Sequence, residues 1–137
     1  MSFFVDTSGW AAFLDRRQSF HLRANQFLRG AWMRSHHVMT TNYVLAELTA
    51  LLTSPMHITK PLQCQYLQVI RQHPRIVVTH ADRNLDAAAW NLWHNRPDKD
   101  WTFVDCSSFI VMQQHRLTEA LSADHHFEQA GFVRLLK

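Results

Sequence analysis

The sequence is poor in the residues that several familiar protein classes require. It has only three glycines, so it contains neither a P-loop nor the glycine-rich turn of a dinucleotide-binding fold. Its two cysteines, Cys64 and Cys106, form no CxxC pair and no Cys/His zinc pattern. The sequence therefore indicates neither a redox motif nor a zinc cage, and we expect both thiols to be reduced.

Long apolar runs are also missing. No segment approaches the roughly 18 consecutive apolar residues that a membrane span needs. Asp6 interrupts the short apolar run at 3–5, so we expect no signal peptide. The expectation is a soluble cytoplasmic protein without membrane contacts. A length of 137 residues with 47% hydrophobic residues favours one folded domain over 1–137.

The charge balance is mildly basic. Fourteen Lys and Arg stand against eleven Asp and Glu, which gives a net charge of +3. A pI of about 9.2 is compatible with a nucleic-acid partner without requiring one.

Short apolar runs alternate with helical patterns along the whole chain. Strands are predicted at 3–5, 38–41, 76–78, 120–122 and 132–136. Helices are predicted at 7–14, 21–32, 42–52, 61–73, 82–93, 102–112 and 126–130. Three of them begin at residues suited to capping a helix N-terminus: Asn42, Asp82 and Thr102. This alternation predicts a three-layer α/β/α fold with a central, mainly parallel sheet of four or five strands.

Four acidic residues are predicted to lie at one edge of this sheet. Asp6 ends the first strand, Asp105 starts a late helix, and Asp124 follows the fourth strand. Glu47 lies about one turn into the helix after the second strand. The carboxyl ends of parallel strands form a ligand crevice, so we expect the four carboxylates to meet there. Oxygen ligands of this kind suit Mg²⁺ or Mn²⁺.

Each acid also has a purely structural interpretation. Asp6 and Asp124 are suitable helix N-caps, and Glu47 is an ordinary solvated helix residue. Thr102 and Asp105 have the spacing of a capping box with Asp in place of Glu. Taken together, however, four clustered carboxylates repel one another unless a cation neutralises them.

Four segments around these acids resemble the motifs of PIN domains, and of VapC-type toxins in particular. They are 4–10 (FVDTSGW), 41–48 (TNYVLAEL), 102–109 (TFVDCSSF) and 121–127 (LSADHHF), followed by Gly131 and Phe132. Their order and spacing agree over nearly the whole chain, although 54–75 carries no diagnostic residue. None of the four acids is missing.

The resemblance implies a PIN-like fold and a ribonuclease that depends on one or two divalent ions. It implies that Asp6 and Asp105, expected on adjacent strand ends, are the central metal ligands and that Glu47 completes the first ion's site. Asp124 would hold a second ion or orient the attacking water. Thr102 would orient Asp105 through a hydrogen bond. As toxins of this type are held inactive by a small antitoxin and usually dimerise, we expect both partners, through apolar residues exposed on the helices at 44–52 and 61–73.

Several other functions remain to be weighed. A phosphohydrolase with a nucleophilic Asp would need DxD at the first strand, where the sequence has Asp6-Thr7-Ser8. A receiver-like domain would need paired N-terminal acids and a later strand-end Lys, and neither is found. A housekeeping PIN-type RNA-processing nuclease would look the same as a toxin. A PIN-like module that only binds RNA would be expected to have lost an acid.

Basic, histidine and aromatic residues near these segments are secondary candidates. His125 or His126 is a minor candidate near the substrate, and Trp93 or Trp101 is a candidate for base stacking. Trp90 and Trp93 nevertheless have the spacing of core aromatics. Five basic residues flank the predicted site segments and are candidates for guiding phosphates: Arg16, Arg17, Arg96, Lys99 and Arg116.

Overall fold

The structure, a computed structural model, describes residues 1–137 and alternates strands with helices. The strands are β1 (Phe4–Val5), β2 (Val38–Thr41), β3 (Ile76–Thr79), β4 (Glu119–Leu121) and β5 (Val133–Arg134). The helices are α1 (Thr7–Leu14), α2 (His21–Met33), α3 (Asn42–Thr53), α4 (Lys60–Gln72), α5 (Arg83–His94), α6 (Phe103–Gln114) and α7 (His126–Gln129). No helix combines the length and the hydropathy that crossing a membrane would require.

The five strands form one entirely parallel sheet in the order β3-β2-β1-β4-β5. The central strand β1 is fully buried, with Phe4 paired to Met39 of β2 and to Ala120 of β4. Parallel strands buried on both faces need helices on both sides. The predicted three-layer α/β/α architecture is therefore confirmed.

A buried polar contact ties α1 to the two strands beneath it. The indole nitrogen of Trp10 donates to the hydroxyl of Thr40 at 3.1 Å, and that hydroxyl donates to the carbonyl of Val5 at 2.9 Å. Trp10 and Thr40 are completely buried, so these bonds satisfy groups that would otherwise be costly to desolvate. They fix α1 directly behind the end of β1.

Helix caps agree with the sequence at two sites and differ at a third. Asp82 accepts from the backbone of Leu85 as the cap of α5, and Thr102 caps α6, both as predicted. Asn42 was expected to cap α3, but the hydroxyl of Thr41 does so. The side chain of Asn42 instead accepts from the backbone N–H of Ala81, a contact between segments that local sequence does not reveal.

Two predictions about exposure are wrong, and one strand is shorter than predicted. The two tryptophans expected in the core, Trp90 and Trp93, are 50% and 42% exposed, because α5 packs on α6 through Leu85 and Ala89. Helix α3 turns its apolar stripe inward, with Val44, Leu45, Leu48 and Leu52 buried, whereas α4 does expose Val69. The fifth strand is also short, since only Val133 and Arg134 pair with β4.

The close approach of α1 to β4 generates a prediction about Gly9. A Cβ added at Gly9 would lie 2.1 Å from the carbonyl oxygen of Leu121, which is backbone and cannot move aside. We expect Gly9→Ala to lower the free energy of unfolding by about 3 kcal/mol or more.

Gly30→Ala is the matched control. Gly30 lies inside α2, and its added Cβ would meet nothing closer than 3.5 Å. This substitution should raise stability by up to about 1 kcal/mol, because Ala is the better helix former. Urea unfolding of both variants tests the pair, and a Gly9→Ala protein as stable as the parent would contradict the close packing.

Candidate functional site

A cleft of about 260 Å³ opens at the carboxyl edge of the sheet. All five residues predicted for the site line it, together with Thr7, Ser8 and Leu51; the five are Asp6, Glu47, Thr102, Asp105 and Asp124. Four larger cavities, of about 620, 580, 350 and 290 Å³, lie elsewhere on the protein. None of these four is lined by more than one acidic residue, whereas the 260 Å³ cleft is lined by four.

The acids reach this cleft from four different elements. Asp6 follows the central strand β1, and its neighbours β2 and β4 lead to Glu47 on α3 and to Asp124. Asp105 was expected at an adjacent strand end, and this is wrong. It lies in the first turn of α6, behind a loop rather than a strand, and reaches the cleft because α6 begins there.

Asp6 is the most deeply buried of the four carboxylates, at 4% exposure. One of its oxygens accepts from the Ser122 hydroxyl at 3.1 Å, and the other is buried without a hydrogen-bond partner. Burial raises the pKa of Asp6 to about 7, and the charges of Asp105 and Glu47 add to the rise. The backbone N–H of Thr7 acts in the opposite direction. Asp6 makes no side-chain cap to α1, so the capping interpretation does not hold.

Glu47 is held by a neighbour rather than solvated. Its carboxylate accepts a hydrogen bond from the Thr7 hydroxyl at 2.6 Å. Partial burial raises the pKa of Glu47 above its usual value, and the charges of Asp105 and Asp124 raise it further. Thr7 is the first residue of α1, so its hydrogen bond directs the Glu47 side chain towards the cleft.

Asp105 both helps to cap the N-terminus of α6 and lines the cleft. The backbone N–H of Thr102 donates to Asp105 Oδ2 at 3.0 Å, and the Thr102 hydroxyl accepts from the backbone of Asp105, which completes the predicted capping box. Burial raises the pKa of Asp105, with a further rise from Asp124 and an opposing effect from His126. Thr102 thus fixes the rotamer of a carboxylate that lines the cleft.

Two serines that the sequence reasoning overlooked connect the strand ends. The Ser122 hydroxyl that donates to Asp6 also accepts from the backbone of Asp124 at 3.0 Å. The Ser8 hydroxyl accepts from the backbone of Ala123 at 2.9 Å and lies 3.2 Å from the Ser122 hydroxyl. Because serine is common in turns, the sequence alone does not single out these two residues. Their contacts become visible only once β1 and β4 are seen to be adjacent.

His126 belongs to the site, whereas the sequence presented it only as one of two minor candidates. Its Nδ1 lies 3.0 Å from Asp105 Oδ2 and 3.2 Å from Asp124 Oδ1, between the two carboxylates. The ligand atoms of Asp124, His125 and His126 all lie within 4.8 Å of one another, and no three of the four carboxylates form a group as close as this. In the sequence, only the position of His126 two residues after Asp124 indicates that it lies near the site.

The flanking basic residues are not part of the cleft. None of the five lines it, and two are engaged elsewhere: Arg17 pairs with Asp15 at 2.9 Å and Arg96 with Asp98 at 3.0 Å. Trp101 is buried, and its indole N–H donates to Gln129 at 3.1 Å, so it is not available for stacking.

A parallel α/β/α fold with four carboxylates in one cleft at the carboxyl edge of its sheet is the arrangement expected of a PIN domain. The PIN-domain family model matches residues 3–133. The chain therefore belongs to the PIN-domain family.

Comparison with individual proteins points to the VapC-type members. The chain is 30% identical, over 96% of both chains, to the 23S rRNA-specific endonuclease VapC20 of Mycobacterium tuberculosis, in each of two strains. It also resembles the crystal structure of M. tuberculosis VapC20, described as a toxin that cleaves the sarcin–ricin loop. That likeness has a TM-score of 0.82 at 31% identity and covers 96% of this chain and 97% of the other. The resemblance to VapC-type toxins expected from the sequence is confirmed.

The burial of Asp6 predicts how the metal-free protein responds to pH. Its folded pKa of about 7 lies above the ordinary 3.8, so the folded state binds the proton more tightly than the unfolded state. Stability should therefore fall as pH rises from about 4 to about 7, by up to roughly 4 kcal/mol. Asp6→Asn should remove most of this loss.

Urea unfolding in EDTA at several pH values measures the effect. We expect Asp6→Asn to be more stable than the parent at pH 8 and the difference to shrink towards pH 4. Asp100→Asn, at an exposed acid outside the cleft, is the control and should follow the parent. A stability difference between Asp6→Asn and the parent that does not change with pH would show that burial of the Asp6 charge is not its cause.

Proposed function

We propose that this protein is a Mg²⁺- or Mn²⁺-dependent endoribonuclease that hydrolyses RNA phosphodiester bonds in the cytoplasm as the toxin of a toxin–antitoxin pair. The observation that carries the proposal is the cleft in which Asp6, Glu47, Asp105 and Asp124 lie together. Support also comes from the family and from relatives that are themselves described as RNA endonucleases.

The residues of the cleft fit a hard divalent cation. Asp6 has a buried carboxylate oxygen without any hydrogen-bond partner, and the pKa values of Asp6, Glu47 and Asp105 are all raised. Carboxylates that are costly to ionise next to one another become favourable once a cation is among them. Because the four predicted ligands are oxygen donors, they favour Mg²⁺ or Mn²⁺ over zinc.

Hydrogen bonds orient the carboxylates and leave other oxygens free for the cation. Ser122 holds one oxygen of Asp6, Thr7 holds one of Glu47, and Thr102 holds one of Asp105. We assign Asp6 and Asp105 as central ligands, with Glu47 completing the site. A bound divalent ion supplies Lewis acidity towards a water and charge neutralisation at the phosphate.

Asp124 is assigned to orienting the attacking water or to a second ion. It is more exposed than Asp6 and Asp105, and its Oδ1 is held by the backbone N–H of His126 at 2.9 Å. In the reaction, the water oxygen forms a bond to phosphorus while the bond to the 3′-oxygen breaks. The water's proton passes to a base, and the leaving 3′-oxygen gains a proton.

RNA is the proposed substrate for two reasons. Removing the four cleft acids from the count leaves seven acidic against fourteen basic residues, so the surface outside the cleft favours a polyanion. One relative is described as a 23S rRNA-specific endonuclease, and the similar crystal structure is described as that of a toxin that cleaves the sarcin–ricin loop. We propose a single-stranded or looped RNA, because only an accessible backbone enters a cleft at a sheet edge.

Loss of metal binding and cleavage in the acid variants is the direct test. We expect Asp6→Asn and Asp105→Asn to fold, to bind Mn²⁺ at least about tenfold more weakly, and to lose RNA cleavage by roughly a hundredfold or more. Calorimetric titration with Mn²⁺ and a gel assay on single-stranded RNA measure the two effects. Asp98→Asn, at an exposed acid paired with Arg96, should behave as the parent. An Asp6→Asn protein that cleaves at the parent's rate would refute the site.

The ends of the RNA products distinguish the proposed reaction from histidine chemistry. Attack by an external water gives 5′-phosphate and 3′-hydroxyl ends, and EDTA should abolish cleavage. A nuclease that uses the RNA's own 2′-hydroxyl with histidines as acid and base leaves a 2′,3′-cyclic phosphate and needs no metal. End-labelling decides between them; cyclic ends, or cleavage that survives EDTA, would exclude the proposed mechanism.

We further propose a homodimer and a small antitoxin partner, as the relationship to VapC-type toxins suggests. Light scattering should give the mass of two chains. Expression of the chain should inhibit growth, and co-expression of a small protein encoded next to it should relieve the inhibition. A strict monomer that causes no growth defect would instead favour a housekeeping RNA-processing nuclease.

A further inference from the structure

Beside the carboxylate cleft, the surface carries an unusual run of aromatic side chains. Phe103 lies directly after the cleft residue Thr102, and its ring contacts Tyr43 and Trp93, with centroids 6.2 and 6.4 Å apart. Trp93 in turn contacts Trp90 at 5.5 Å. We call the five residues Tyr43, Phe103, Trp93, Trp90 and His94 the aromatic strip.

The strip begins at the cleft and ends on the open face of α5. Tyr43 lies one turn before Glu47 on α3, so the two side chains are neighbours on that helix. At the other end, the rings of Trp90 and His94 are stacked, with centroids 5.7 Å apart and an angle of 7° between the planes. The five rings therefore connect the proposed metal ligands with a surface well outside the cleft.

Trp90 and Trp93 differ in exposure from two other tryptophans of this chain. Trp10 and Trp101 are buried and donate hydrogen bonds within the protein, whereas Trp90 and Trp93 are 50% and 42% exposed. Adjacent exposed aromatic rings are unfavourable in water and mark surfaces that bind something. Helix α5 already packs on α6 through the buried Leu85 and Ala89, and Trp93 stays 42% exposed although its ring contacts Phe103 of α6. Packing against α6 therefore does not account for the exposed area of the two tryptophans.

We infer that the aromatic strip is a stacking platform for the unpaired bases of the RNA whose backbone enters the cleft. This inference rests on the proposed nuclease function. Flat rings are suitable partners because every base has a π-face, and such stacking is tolerant of sequence. Continuity with the cleft favours RNA as the occupant, since a strand whose phosphate lies at Asp105 passes Phe103 next.

Binding of matched RNAs under EDTA tests the platform without cleavage. Fluorescence anisotropy would compare a single-stranded RNA with an abasic strand of equal length, which keeps the phosphates but has no bases. We expect Trp90→Ala and Trp93→Ala each to weaken binding of the intact RNA about tenfold and to leave abasic RNA nearly unaffected. Trp93→Phe should recover part of the affinity, because a smaller ring still stacks.

Met33→Ala and Leu22→Ala are the matched controls, since both remove exposed apolar side chains, at 85% and 76% exposure, from α2. They should bind both RNAs as the parent does. The stacking proposal would be wrong if the tryptophan variants lost equal affinity for intact and abasic RNA, or lost no affinity for either. A change of mass in light scattering for Trp93→Ala would also overturn it, because the strip would then be a contact between protein chains.

The outcome is separable from that of the nuclease proposal. If Asp6→Asn cleaves RNA normally, the metal site is wrong, whatever the tryptophan variants do. If Asp6→Asn is inactive and the tryptophan variants bind RNA as the parent does, the nuclease proposal stands and only the stacking platform is lost.

Discussion

The burial of Asp6 at the end of the central strand is the constraint on which the site depends. A carboxylate with 4% exposure, one unpartnered oxygen and acidic neighbours is costly to ionise, and its pKa of about 7 expresses that cost. The fold keeps Asp6 in place nonetheless, through the hydrogen bond from the Ser122 hydroxyl. A site of this kind stores unfavourable electrostatic energy that a divalent cation would release.

Packing of α1 is what makes this burial possible. Gly9 allows the helix to approach the backbone of β4, and the bonds from Trp10 through Thr40 to Val5 hold it over the sheet. Thr7, at the start of the same helix, reaches Glu47. The residues that give α1 its close contact therefore also bring two of the acids into one cleft, so stability and the proposed chemistry share the same elements.

Helix α6 has a comparable double role. Its capping box with Thr102 satisfies the helix N-terminus and at the same time orients Asp105 towards the cleft, where His126 contacts it. Phe103 starts the same helix and connects the cleft with the exposed rings of Trp93 and Trp90. The first turn of α6 thus carries both a proposed metal ligand, Asp105, and a proposed RNA contact, Phe103.

Much of this protein was determined by the sequence itself. The alternation of short apolar runs and helical stripes is a local property, and it predicted all five strands and the layered fold to within a few residues. The motifs around Asp6, Glu47, Asp105 and Asp124 predicted that all four acids would meet in one cleft. The shared carboxyl edge of parallel strands accounts for all but Asp105, which reaches the cleft from the start of α6. Tertiary structure alone decided which residues support them. Ser122 and Asp6 are 116 residues apart, His126 and Asp105 are 21 apart, and no local periodicity relates such pairs. The exposure of Trp90 and Trp93 was likewise decided by packing: their spacing indicates one helix face, but only the docking of α5 on α6 determines which face meets water.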